Sequence, residues 1–211
     1  MTPNRQSRDE ESVNVMIHGL GFVLSVPGFF LLLALSLFFG DAPLIAGSFI
    51  FGATLSMVFL ASVLYHNTRN PTIKRFFRYL DHICIYLLIA GTVTFIALNA
   101  MEGLTTWFVV GLEWLIAIGG IVMKVYCGIC RDRLSVLLYI LAAGVVFIGV
   151  PDMLANFSSW PLGFMIGGCT LYLLGVPFYL LDQKYEYFHS VWHAFVLGGA
   201  TCHYFMVLST I

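Results

Sequence analysis

The sequence predicts an all-α protein of the polytopic membrane class, a bundle of seven transmembrane helices, on three observations. Sixty per cent of its 211 residues are apolar and only 10% are charged, against roughly 25% charged in a soluble domain. Seven apolar stretches, near 17–39, 43–66, 79–98, 106–123, 134–150, 162–181 and 189–210, approach the roughly 20 residues that a bilayer core of about 30 Å requires. All ten Lys and Arg residues fall before the first stretch or in alternate gaps between stretches.

The charges orient the bundle. Arg5 and Arg8 precede the first span, Arg69, Lys74, Arg75 and Arg78 follow the second, Lys124, Arg131 and Arg133 follow the fourth, and Lys184 follows the sixth. The remaining gaps carry only Asp41, Glu102 and Asp152. The excess of basic residues in cytoplasmic loops then puts the N-terminus in the cytoplasm and the C-terminus outside, which only an odd number of spans satisfies. Residues 1–16 form a polar cytoplasmic segment, and 17–211 form a single seven-helix domain. The first apolar run is too long for a cleavable signal core, so it is expected to stay as a span. Ten scattered cations are no footprint for nucleic acid; membrane lipids are the expected partners. No oligomeric state follows from the sequence.

Gaps of about 3–12 residues make sequential spans antiparallel neighbours. Pro43, Pro71 and Pro161 sit in or beside gaps, whereas Pro27 and Pro177 fall inside the first and sixth spans and predict kinks. Glycines such as Gly19, Gly21, Gly119, Gly120, Gly167 and Gly168 permit close helix approach. No internal repeat is visible. Cys84, Cys169 and Cys202 read as small packing residues within spans. Cys127 and Cys130 form a single CxxC with no second pair to complete a zinc site, and read as inert.

Five of the six histidines lie toward the cytoplasmic ends of the spans. The seventh span opens with His189-Ser-Val-Trp-His193, a spacing of four that sets both imidazoles on one face, about 6 Å apart along the axis. The second span ends with Ser62-Val-Leu-Tyr-His66, and the third begins with Asp81-His82. With the charge-derived topology, His66, Asp81, His189 and His193 arrive at one depth. Three neutral imidazoles suit Zn2+, and three protein ligands plus a water are the pattern of a catalytic rather than a structural site. Ionisable groups within spans are costly, and a metal would satisfy several imidazole lone pairs together.

Asp81 is placed to act as a base beside such a metal, and Ser62 to hydrogen-bond a water or a developing oxyanion. Each has a plainer alternative. Asp81 suits the first turn of a helix beside Arg75 and Arg78, and Ser62 could bond the carbonyl four residues back. His82 points about 100° away from Asp81 and reads as interfacial. His18 begins the first span on the cytoplasmic side and could join the cluster or only cap the bundle, the cap being the preferred reading. His203, about 21 Å deeper than His189, reads as an interhelical hydrogen-bonding residue, and Glu113 as paired or facing water in the outer half of the fourth span.

The combination resembles the hemolysin III family, grouped with the progestin and adiponectin Q receptors. The resemblance runs along nearly the whole chain: Glu10-Glu11, Asn14 and His18-Gly19, then Ser62 to His66, Asp81-His82, Tyr86 to Thr92, and His189 to His203. It implies Zn2+ held by His66, His189 and His193, with Asp81 and Ser62 close to the metal water, in a bacterial inner membrane. It also links the chain to membrane hydrolases such as the alkaline ceramidases. One departure stands out: where the family commonly continues to Thr-x-Thr-Pro, this chain has Thr92-Val-Thr94-Phe95.

Three functions are therefore expected in order. The first is a zinc-dependent hydrolase of a lipid-like amide or ester. The second is a non-enzymatic sensor or regulator of membrane lipids with a structural zinc, and the third is a cytolytic hemolysin. A lipid or fatty-acid ligand within the bundle fits the first two.

Overall fold

A computed structural model describes residues 6–128 and 132–211. The first span is α1 (Arg8–Phe39), the second α2 (Ala42–Asn67), the third α3 (Pro71–Ala100) and the fourth α4 (Gly103–Cys127). The fifth is composite: α5 (Asp132–Val145), a 3-10 turn (Val146–Gly149) and α6 (Val150–Asn156). The sixth is α7 (Ser159–Leu181), the seventh α8 (Phe188–Leu208). Among the described residues there is no strand, and seven helical spans are long and apolar enough to cross a membrane. The chain is a multi-pass integral membrane protein.

Local sequence sets the starts. Ser7 Oγ accepts from Glu10 N at 3.2 Å, the Ser-x-x-Glu cap that satisfies an otherwise unpaired first-turn donor. Asp41 caps α2 through Leu44 N at 3.1 Å. Asn70 caps α3 through Thr72 N and Ile73 N, with Pro71 in the first turn, where its missing N–H costs nothing. The α1 helix therefore begins nine residues before the apolar run at 17. Residues 8–16, expected to belong to a separate polar lead, are roughly the first two and a half turns of α1.

Pro27 and Pro177 lie within α1 and α7. The interruption in helix type falls elsewhere, at Val146–Gly149 in the fifth span, immediately before Pro151. A proline has no N–H for the carbonyl four residues back and its ring crowds that carbonyl, here Phe147. Pro161 sits in the first turn of α7. The CxxC expectation lies outside the described residues, since Cys130 and the Cys127 side chain are not among them.

Most consecutive spans pack as neighbours, most extensively α1 with α2, α2 with α3, α3 with α4 and α7 with α8, and α1 closes against α8. The composite fifth span rests on α3 and α4, with next to no contact to α7. A cavity of about 590 Å³ fills the space so left, between α3 and α5 on one side and α7 and α8 on the other.

The buried face of α1 is Glu10, Asn14, His18, Gly21, Ser25, Gly28, Leu32 and Ser36. Polar and small residues point inward while Leu20, Val23, Leu24 and Phe30 face out, the arrangement expected where lipid is as apolar as leucine and helices associate by close packing and hydrogen bonds. Gly21 illustrates the close packing: a Cβ there would stand 2.6 Å from the Phe59 ring. Hydrogen bonds between spans include Ser36 Oγ to Ser48 Oγ at 2.8 Å, Trp114 Nε1 to Thr94 Oγ1 at 3.0 Å and Tyr139 Oη to the His82 carbonyl at 3.1 Å.

Candidate metal centre

The last turn of α2 delivers His66, and the first two turns of α8 deliver His189 and His193. All three are buried, and one nitrogen of each lies within 4.8 Å of the others. His66 Nε2 and His193 Nε2 are 3.0 Å apart. Two imidazole lone pairs cannot face each other at that distance, so a proton or a cation has to lie between them. Two nitrogens on a tetrahedral zinc, at bond lengths of about 2.0–2.1 Å, are about 3.3 Å apart, a few tenths of an ångström from this spacing.

The far sides of the rings complete the picture. His66 Nδ1 donates to Glu11 Oε2 at 2.7 Å and lies 3.4 Å from Asn14 Nδ2. Glu11 is held in turn by Lys74 Nζ at 2.9 Å on its other oxygen, and Asn14 Oδ1 accepts from Ser190 Oγ at 2.6 Å. His189 Nδ1 donates to Asp182 Oδ2 at 2.8 Å. A carboxylate on Nδ1 fixes the tautomer, turns the Nε2 lone pair toward the centre and raises its basicity, as in most protein metal sites. His189 Nε2 is buried with no hydrogen-bond partner, and a buried acceptor left open in this way is costly unless something fills it. The donor set, the orphaned nitrogen and the spacing all fit a metal ion.

Asp81, in the third turn of α3, lines the cavity beside His18, His189 and His193. Its carboxyl approaches the Ser62 hydroxyl and lies within electrostatic reach of His189 and Arg78. Ser62 Oγ is fully buried and makes no hydrogen bond of good geometry, so it does not bond the carbonyl of the preceding turn. The five residues singled out from the sequence, Ser62, His66, Asp81, His189 and His193, thus meet at one end of the bundle.

Several single-residue expectations are corrected. His18 is not a cap: it is 3% exposed, its ring centroid lies 3.7 Å from that of His193, and it lines the same cavity. The apolar run beginning near 17 suggested that His18 opens the helix, but α1 starts at Arg8, so His18 lies in its interior on the buried face with Asn14 and Gly21. His82 is buried at 6% exposure and lines the cavity rather than an interface, because α5 packs over it through Tyr139. Glu113 is fully buried and neither carboxyl oxygen has a hydrogen-bond partner. His203 is in the interhelical position expected, with Nε2 3.4 Å from the Met165 carbonyl and 3.9 Å from Cys169 Sγ.

Glu11 and Asp182 accept from two of the three histidines, with Asn14 beside His66, and the sequence alone gave none of the three a role. Their signal is placement: an acid seven residues before His189, and Glu11-x-x-Asn14-x-x-x-His18 on one face of a helix.

Fold and site together define a multi-pass membrane protein with a buried three-histidine group able to hold a metal ion. The sequence model of the family described as "Haemolysin-III related" matches residues 6–204, and the chain belongs to that family. It is 32% identical over 208 residues to Hemolysin-3 of Bacillus cereus, covering 99% of this chain and 94% of that protein. It is 33% identical over 199 residues to the Hemolysin-3 homolog of Bacillus subtilis (strain 168), covering 94% and 93%. The human Monocyte to macrophage differentiation factor is 26% identical over 209 residues, covering 94% and 83%, in keeping with the relation to the progestin and adiponectin Q receptors. Bacterial relatives matched end to end support a bacterial plasma membrane as its location.

Proposed function

We propose that this protein is a zinc-dependent hydrolase acting on an amide or ester of a lipid-like substrate from the cytoplasmic side of the membrane. One observation carries the reading: His189, His193 and Asp81 open together onto a cavity of about 590 Å³ whose walls are otherwise mostly apolar. That size falls within the roughly 300–1,000 Å³ of small-molecule sites. The deeper walls, among them Leu88, Val93, Ile96, Ile140 and Phe147, suit an acyl chain, while the polar end suits the bond to be cut. The sparse contact between the fifth and sixth spans gives such a chain a route in from the bilayer.

His66, His189 and His193 would hold the ion, with Glu11 and Asp182 fixing two of the rings. When bound, zinc supplies Lewis acidity and brings the ionisation of a water to near neutral pH. Asp81 then takes the water's proton on its carboxylate as general base. The Ser62 hydroxyl, beside the Asp81 carboxyl, donates a hydrogen bond to oxygen charge developing on the substrate carbonyl. The distribution of basic loops favours the cytoplasmic side for the triad.

The competing reading is a lipid sensor or regulator in which zinc is only a staple. It is favoured by the scarcity of direct contact between α2 and α8, which the triad would join. Asp81→Asn separates the two. If the site is catalytic, the variant keeps its zinc and thermal stability while turnover of lipid amides or esters falls by about 10²-fold or more; turnover unchanged by this variant defeats the hydrolase.

A further inference from the structure

A second polar recess lies beside the triad. It measures about 210 Å³ and is walled by Gln6 and Glu10 from the start of the first span and by Asp182, Gln183, Lys184, Tyr185 and Glu186 from the loop before the seventh. Gln6, Asp182 and Gln183 line both this recess and the large cavity, so the two spaces meet at Asp182, the residue that accepts from His189 Nδ1. Residues 183–186 are exposed, which leaves the recess open to water.

Glu10 is what distinguishes the recess from an ordinary acidic surface. It is 3% exposed, and its Oε1 is buried with no hydrogen-bond partner. The carboxyl is turned toward the backbone N–H groups of Ser7 and Tyr187. Tyr187 is the one non-glycine with positive φ (60°) among the described residues. Glu10 thus faces main-chain N–H groups while its Oε1 stays open. An ionised carboxylate only accepts, so what satisfies the open oxygen is a proton donor or a cation. Among the described residues, Lys74 is committed to Glu11 at 2.9 Å, and Lys184 lies over the Tyr185 ring, 5.1 Å from its centroid.

We propose that this recess is a loading site for a divalent cation, in which Glu10 and Asp182 take Zn2+ from water and pass it to His189. The proposal rests on the triad's being a metal centre. The three ligands are buried, so an ion must shed its water on the way in, and carboxylates along the path replace that water stepwise. The negative rim also raises the local cation concentration. Asp182 joins the two sites, holding one oxygen on His189 and offering the other to the recess, where Gln183 Nε2 now sits 3.3 Å away.

The test uses the full chain purified in detergent, stripped of metal by a chelator and mixed rapidly with Zn2+ and a fluorescent zinc indicator. Final zinc per chain is measured by elemental analysis. Glu10→Gln is expected to reach the wild-type zinc content but to load about 10-fold more slowly, the lower end of what electrostatic focusing contributes to association rates. Loading of Glu10→Gln at the wild-type rate overturns the proposal, as does loss of its zinc at equilibrium, which would make Glu10 part of the final site. Two exposed rim variants cover the case in which Glu10→Gln does not fold: Glu186→Gln should slow loading and Lys184→Gln should speed it, and identical rates in both overturn the proposal. A wild-type chain that takes up no zinc, or a His193→Ala variant that takes up as much as wild type, refutes the metal centre itself and is told apart by its end point rather than its rate.

Discussion

The seventh span carries two buried histidine environments that share a helix but differ in what backs the rings. At its start, His189 has a carboxylate on Nδ1 and an unfilled Nε2 directed at two other imidazoles. Fourteen residues on, His203 has Nε2 beside a main-chain carbonyl at 3.4 Å, against Tyr172 and beneath Gly168, where a Cβ would overlap the ring. Neutral hydrogen bonding and close packing use up the second ring, whereas the first is electrostatically primed for a cation. What separates His189 from His203 is the acid behind the ring, not burial, which both share.

The largest expected effect tests that contrast directly. His193→Ala should lower bound zinc from about one per chain to near zero and cost several kcal/mol of stability in the zinc-loaded protein. His203→Ala should leave zinc unchanged and cost only about 1–3 kcal/mol through the void it creates. Elemental analysis and thermal melts with and without chelator measure both. Equal zinc loss in the two variants would erase the distinction.

The acids come next. Glu11→Gln removes the charge behind His66 while keeping a hydrogen-bond acceptor, and should weaken zinc affinity about 10–100-fold, the usual effect of losing a residue that orients a ligand. Competition with a chelator of known affinity reads this. Glu113 supplies the opposite case, an acid with no ring to support. Glu113→Met should leave zinc affinity unchanged and raise thermal stability by about 1 kcal/mol or more, because a buried polar group without a partner is a net cost. Weakened zinc binding in Glu113→Met would mean that the outer half of the fourth span is coupled to the triad.

The spans, their alternation and the depth of the triad were legible because they rest on strong signals, namely runs of about 20 apolar residues and a spacing of four on one helix. That Ser62, Asp81, His66, His189 and His193 come together followed from topology alone. The supporting acids did not, because Glu11 and Asp182 act across the bundle, on rings 55 and 7 residues away in sequence, and solvation makes a loop acid look unremarkable. His18 was misplaced for a related reason. The apolar run near 17 marks where lipid contact begins, but Ser7 starts the helix earlier. The inward face of α1 is polar and small rather than apolar, so no hydrophobic stripe announces which way His18 points.

The smallest expected effects compare two serine hydroxyls that both bridge spans. Ser36 Oγ meets Ser48 Oγ at 2.8 Å near the turn that joins α1 to α2. With Ser36→Ala, the Ser48 hydroxyl can turn to the carbonyl of the preceding turn of its own helix, so the cost should be near the roughly 0.6 kcal/mol average for such bonds in membranes, with no change in zinc. Ser190 Oγ instead donates to Asn14, whose amide lies 3.4 Å from His66 Nδ1. Ser190→Ala leaves Asn14 Oδ1 buried and open, with no nearby carbonyl exchange to relieve it, so its penalty should exceed that of Ser36→Ala and appear partly as weaker zinc binding. Equal melting temperatures and equal chelator competition in the two variants would show that Asn14 does not transmit to the histidine, and that Glu11 alone orients it.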